Sequence, residues 1–241
     1  MTPLAFAVAA ALGNVAGALA VVRHLQRGLR FIDTCLAFGA GFMLAVAVLG
    51  VLPEVFRGNS STAGLYVLLG YLAVHLAQHV LTPHFHFGEE THRLSPSAGH
   101  RALLGLSLHT FFDGVAIASG FLVSERLGVL LFLAVLLHKL PEGVTIASVM
   151  VAGGESRGRA VGGAVIIGCA TVLGFLLTEQ VAPLAQYGLA LSAGVTIYVA
   201  ASDLVPQFQA KRGWLTSLAF FGGALAFFVT EQLLAAWVAA P

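Results

Sequence analysis

Two short stretches near the middle of the chain hold its densest chemistry: LHTFFDGVAIAS, from Leu108 to Ser119, and LHKLPEGVTIAS, from Leu137 to Ser148. They begin 29 residues apart and share one plan, a histidine four residues before a carboxylate and then a glycine. On an α-helix, residues i and i+4 lie on one face about one turn apart. His109 and Asp113 therefore project together from one helix, and His138 and Glu142 from another. Two imidazoles and two carboxylates make a four-donor nitrogen/oxygen set of the kind a tetrahedral zinc ion accepts. Pro141 cannot donate its backbone bond, which frees the carbonyl of Leu137 beside the site. Gly114 and Gly143 follow the carboxylates and let a neighbouring helix approach. Two other readings use the same residue types: a pair of ion-free His–carboxylate staples between helices, and a proton relay. The duplication at matching depth favours metal.

The elements that position these groups are apolar. Hydrophobic residues make up 58% of the 241 and charged residues 10%, well under the roughly 25% charged of a soluble domain. Polar breaks leave eight apolar segments near 4–22, 34–52, 64–82, 103–123, 127–150, 160–182, 187–207 and 214–238. Each has about the 20 residues that span a bilayer as helix. None alternates as a barrel strand would. The expected fold class is an all-α integral membrane protein of eight transmembrane helices. On this reading 1–241 is a single transmembrane domain. The four cassette residues fall in the middle half of the membrane, where an ionisable group costs about 2.5–3.5 kcal/mol on insertion scales and marks a partner or a pathway.

Basic residues orient the bundle. One set of alternate loops holds Arg23, Arg27, Arg30, Arg93, Arg101, Arg157, Arg159, Lys211 and Arg212; the other holds only Arg57 and Arg126. Positive residues favour the cytoplasm, so both termini are expected on the extracytoplasmic side. The first segment lacks a basic region ahead of its apolar stretch and reads as a retained helix, not a signal peptide. Cys35 and Cys169 both fall inside spans and imply no disulfide framework. The net charge of +1 says little about partners; a lipid bilayer is expected and nucleic acid is not.

The one long polar connection runs from Pro83 to His100 within a cytoplasmic loop over 83–102, and carries His84, His86, His92, His100, Glu89 and Glu90. Internal repeats are more informative. GAGFMLAVAVLGVLPEVF in the second segment resembles SAGVTIYVAASDLVPQFQ in the seventh, with Pro53 and Pro206 each twelve residues after the matched glycine. The paired segments cross the membrane in opposite directions, as do the two cassettes. Similar segments of opposite orientation indicate an inverted repeat, which in transporters sets the substrate site near the midplane.

HTFFDG followed by HKLPEG on consecutive helices resembles the ZIP (Zrt/Irt-like) family of divalent-metal transporters. The likeness extends to AGFMLAVAVLGVLPE, AGVTIYVAASDLVPQ, the eight spans and the histidine-bearing loop after the third. It implies a 3+2+3 helix bundle that moves zinc, and in some members iron, manganese or cadmium, into the cytosol. It implies that His109, Asp113, His138 and Glu142 are the transport-site ligands, with Met43 a candidate further ligand. A plasma (inner) membrane location and a homodimer are the accompanying expectations.

The sequence also departs from the family pattern. Many bacterial members carry Asn after the first cassette histidine and Asn or Asp after the second, which help hold a second ion; here Thr110 and Lys139 stand there. A protonated lysine cannot ligate metal and repels a cation. Lys139 lies three residues before Glu142 on the same face, so the ammonium is expected in place of the second ion, leaving a single-metal site. The alternative is that Lys139 snorkels away or titrates neutral. The family's carboxylate in the middle of the sixth helix is missing; Glu179 is the nearest, close to the outer end.

His75 and His79 form another i,i+4 pair in the third segment. With the loop histidines they are candidates for an exit or sensing metal site, or else a solvated, titrating loop. Asp203 is a candidate for the exit path, or for a helix-end hydrogen bond. Glu54 either attracts cations or is an interfacial charge. Glu179 and Glu231 mark outer helix ends, and Gly13 and Asn14 read as packing residues. The resulting expectation is zinc uptake without enzymatic chemistry. Two alternatives from other classes are an intramembrane zinc metallohydrolase, since bound zinc activates water, and a metal receptor that does not transport.

Overall fold

The computed structural model describes residues 2–24, 29–57, 62–77, 96–206 and 214–238. It is all-α, with no strand among the described residues. The helices are α1 (Pro3–His24), α2 (Leu29–Ala45, continued by a π-turn over Val46–Val51 and by Leu52–Arg57) and α3 (Ala63–Leu76). They continue with α4 (Pro96–Val123), α5 (Glu125–Ala152), α6 (Arg157–Gln180), α7 (Ala182–Ile197, continued by a π-turn over Tyr198–Leu204) and α8 (Trp214–Val238). Seven of them are long and apolar enough to cross a membrane; α3 is apolar but shorter over its described residues. The chain is thus an all-α membrane protein whose eight helices match the eight apolar segments.

Boundaries follow local chemistry. Ser124 alone separates α4 from α5, and its side chain accepts from the amide of Leu127 at 3.2 Å, a cap that starts α5 where α4 ends. Ser156 caps α6 in the same way, accepting from the Arg159 amide at 3.3 Å. Gly154 takes φ +90° in the turn between α5 and α6, a conformation glycine adopts without strain. The fourth helix begins earlier than the apolar run at 103, so the end of the expected 83–102 loop is helical. Pro96 explains this: at the first helical position its missing N–H would be unbonded anyway.

The inverted repeat extends through all eight helices. In α2 the amide of Leu52 bonds the Ala47 carbonyl, and in α7 that of Val205 bonds the Ala200 carbonyl. Both are i→i−5 bonds, both precede a proline, and they coincide under the shift of 153 residues that aligns Gly41 with Gly194. The contacts repeat with the same shift. A Cβ on Gly41 would stand 2.0 Å from the Phe220 carbonyl oxygen of α8, and one on Gly194 1.8 Å from that of Val67 in α3. So α2 packs on α8 as α7 packs on α3. The cassettes obey a second pairing: a Cβ on Gly114 would meet the Thr171 carbonyl oxygen of α6 at 1.8 Å, and one on Gly143 that of Asn14 in α1 at 2.0 Å. Backbone approach this close excludes any side chain, which is how small residues pack helices in lipid. The order is 3+2+3, with α1–α3 mirrored by α6–α8 and α4 by α5.

Two four-helix groups result. The helices α1, α4, α5 and α6 pack chiefly on one another, as do α2, α3, α7 and α8. In the first group one apolar cluster (Ala7, Ala10, Ile117, Ala118, Val135, Phe175) and another (Ala18, Ile146, Ala147, Met150, Ala160, Ala164, Ile167) occupy opposite ends. The cassettes lie between them by position along each helix. The largest apolar cluster joins α2, α7 and Phe227 of α8 to α4 and α5.

Candidate metal centre

His109 and Asp113 from α4 and His138 and Glu142 from α5 are all buried, and one ligand atom from each lies within 4.8 Å of all the others. They are the one group of three or more His, Cys, Asp or Glu side chains found together among the described residues. Asp113 Oδ2 stands at the centre, 3.3 Å from His109 Nε2 and 3.3 Å from His138 Nε2. His109 Nε2 is 3.8 Å from Glu142 Oε1.

Backbone contacts set the tautomer of one imidazole. His138 Nδ1 is 3.0 Å from the Ala134 carbonyl oxygen, which can only accept, so Nδ1 carries the proton. In the neutral ring Nε2 is then a bare lone pair aimed at a carboxylate oxygen, the arrangement a shared cation resolves. Two further ligand-type atoms, His109 Nδ1 and Glu142 Oε1, have no hydrogen-bond partner although buried. Buried polar atoms are seldom left so.

Lys139 is fully buried. Its Nζ lies 2.7 Å from Asp113 Oδ2 and 2.7 Å from Glu142 Oε2. One ammonium thus joins the carboxylates of both cassettes, and the snorkelling alternative does not hold. Thr110 is also fully buried, but its hydroxyl donates to the Ser107 carbonyl at 3.2 Å, within its own helix.

A sixth polar residue reaches the cluster from α1. Asn14 is fully buried, and both its polar neighbours are acceptors, so its amide nitrogen must face them. It donates to Glu142 Oε2 at 3.2 Å and to the Lys139 carbonyl oxygen at 2.6 Å. The packing role expected for Asn14 is therefore incomplete, because its side chain joins the polar network while its backbone receives Gly143. A signal was present in the sequence. Asn14-Val-Ala-Gly17 in α1 mirrors Thr171-Val-Leu-Gly174 in α6, and the mirrored glycines meet the carbonyl oxygens of Leu140 and Phe111, 29 residues apart.

Met43 is buried in the apolar cluster that α2 shares with α4, α5, α7 and α8. His75 packs edge-on against Tyr198 of the α7 π-turn, with ring centroids 5.8 Å apart. Tyr71 in α3 lies 2.9 Å from the Ser202 hydroxyl of that same turn, next to Asp203 in sequence. His100 is 3.7 Å from Glu155, which also pairs with Arg159 at 2.9 Å. Glu54 pairs with Arg57 at 2.5 Å, as an interfacial charge would. Glu231, expected only to mark a helix end, pairs with Arg126 and so ties α8 to the start of α5. His79, His84, His86 and His92 lie outside the described residues.

A family model described as ZIP Zinc transporter matches residues 98–230. The chain is 25% identical over 204 residues to zinc transporter ZIP13 of Pongo abelii, covering 76% of this chain and 60% of that protein. It is 22% identical over 222 residues to zinc transporter YKE4 of Saccharomyces cerevisiae, covering 77% and 64%. To zinc transporter ZIP9-B of Xenopus laevis it is 26% identical over 157 residues, covering 60% and 52%. The chain thus spans between about half and two thirds of the length of these relatives.

Proposed function

The chain belongs to the ZIP zinc transporter family, and from that premise we propose that it carries divalent metal ions, zinc first, into the cytosol through the cluster of His109, Asp113, His138 and Glu142. The observation that carries this reading is the convergence of four buried ligand atoms from two antiparallel cassettes. Two nitrogens and two carboxylate oxygens suit zinc's preferred coordination. Iron, manganese and cadmium are the other candidate cargoes, and Met43 is a candidate further ligand.

The site takes one ion. Lys139 already supplies a positive charge at 2.7 Å from both carboxylates, where a second cation would have to sit against it. An ammonium is a point charge with three donors, and here it does a metal ion's electrostatic work without ligand exchange. His75 and Asp203 are proposed to line the exit, on the support of their common neighbourhood at the α7 π-turn, Tyr198–Leu204. The bias of basic residues between alternate loops supports both termini lying on the extracytoplasmic side, and a plasma membrane location and a homodimer are the accompanying proposals.

Zinc uptake by proteoliposomes tests the reading. His138→Ala and Glu142→Ala should each abolish saturable uptake while the chain remains folded and monodisperse in detergent. Saturable uptake at parent rates in both variants would remove the cluster from the pathway. Peptide hydrolysis or zinc retention without flux in the same vesicles would favour the metallohydrolase or the receptor; the names of the relatives favour transport.

A further inference from the structure

Glu142 presents its two oxygens to different surroundings. Oε2 is held twice, by Lys139 Nζ at 2.7 Å and by the Asn14 amide at 3.2 Å. Oε1 is buried with no hydrogen-bond partner and faces His109 Nε2 at 3.8 Å. A carboxylate on a flexible stem could otherwise offer either oxygen, or both at once, to an ion. Lys139 alone would leave it free to swing about a single contact. Asn14 adds the second point that fixes the plane. Asn14 is itself fixed, because its amide also donates to the Lys139 carbonyl at 2.6 Å and its backbone lies against Gly143.

From this we infer that Asn14 is a positioning residue that makes Glu142 a one-oxygen ligand and thereby sets the preference of the site for a small tetrahedral ion. The inference rests on the reading of the cassettes as a metal site and adds to it a residue from a third helix. Its consequence is chemical. With Glu142 confined to Oε1, the donor count stays at four, which suits zinc; manganese prefers six, mostly oxygen. A Glu142 free to turn could offer both oxygens and relax that discrimination. The mirrored residue, Thr171, spends its hydroxyl on the Ile167 carbonyl at 3.4 Å, so only one cassette is tuned in this way.

The test uses the full chain in detergent with Co2+ as a spectroscopic stand-in for zinc. The parent should show the intense visible absorption of a tetrahedral site, and His138→Ala should lose it. Asn14→Leu keeps the branched outline and removes the donors; Asn14→Ala is a smaller replacement should the bulkier Leu fail to pack. Each should weaken the visible band and lower zinc affinity about 10–100-fold, the usual cost of removing a group that orients a ligand. Competition by Mn2+ should improve relative to zinc. A purely structural role would lower yield but leave the Co2+ spectrum of the folded fraction unchanged, and that result overturns the inference. A further measurement needs no variant: zinc-difference infrared spectra of parent chain carrying 13C-glutamate should show one-oxygen carboxylate binding, and two-oxygen binding would overturn it equally. If His138→Ala keeps the parent spectrum, the metal-site reading itself fails.

Discussion

Lys139 Nζ sits 2.7 Å from Glu142 Oε2, one turn along the same face of α5, and reaches Asp113 Oδ2 of α4 at the same distance. The ion pair is buried, and a buried pair is costly to break because removing one partner strands the other. The cluster thus holds two carboxylates and one fixed cation.

Removing that cation should both destabilise the empty chain and reopen its position. Lys139→Met should cost about 3–5 kcal/mol of metal-free stability, recovered at saturating zinc. Lys139→Asp combined with Thr110→Asn should bind two zinc ions per chain where the parent binds one, counted by equilibrium dialysis with mass spectrometry. A parent that already holds two ions in the membrane site, or a folded double variant that still holds one, would refute the surrogate-cation reading.

The glycines beside the cassettes should be among the least replaceable small residues in the bundle. A Cβ at Gly143 or Gly114 has a carbonyl oxygen within 2.0 Å, and backbone cannot yield as a flexible side chain does. Gly143→Ala and Gly114→Ala should each cost at least the ~1–3 kcal/mol of an overpacked core, read as a drop in thermal midpoint in detergent. Gly162 of α6, with nothing near its would-be Cβ, is the control: Gly162→Ala should be neutral or stabilising.

The histidines between the third segment and the first cassette should matter less than those of the cassettes. Changing His84, His86, His92 and His100 together to Ser should alter apparent affinity or regulation and leave uptake measurable, because the four ligand atoms of the cluster come from α4 and α5 alone. Complete loss of uptake at normal expression would make the loop part of the pathway.

The cassettes were legible because i,i+4 spacing is local: it puts His109 with Asp113 and His138 with Glu142 on one face whatever the rest of the chain does. The burial of Lys139 was legible for the same reason, through its spacing to Glu142. The contact of Asn14 with Glu142 was not, since its approach across 128 residues of chain depends on how α1 crosses α5; the match of Asn14-Val-Ala-Gly17 to Thr171-Val-Leu-Gly174 marks the position but not the partner. The pairing of Arg126 with Glu231 was hidden likewise. The early start of α4 was missed because hydropathy marks where lipid begins, while a helix can run on into polar residues behind an initiating proline.

The two π-turns bear on ancestry. A π-turn gives up regular hydrogen bonding and is rare in any one helix. Here it recurs at one register, ahead of a proline at one register, in α2 and α7, whose other residues have largely diverged. Such a defect is inherited from a common parent more readily than invented twice.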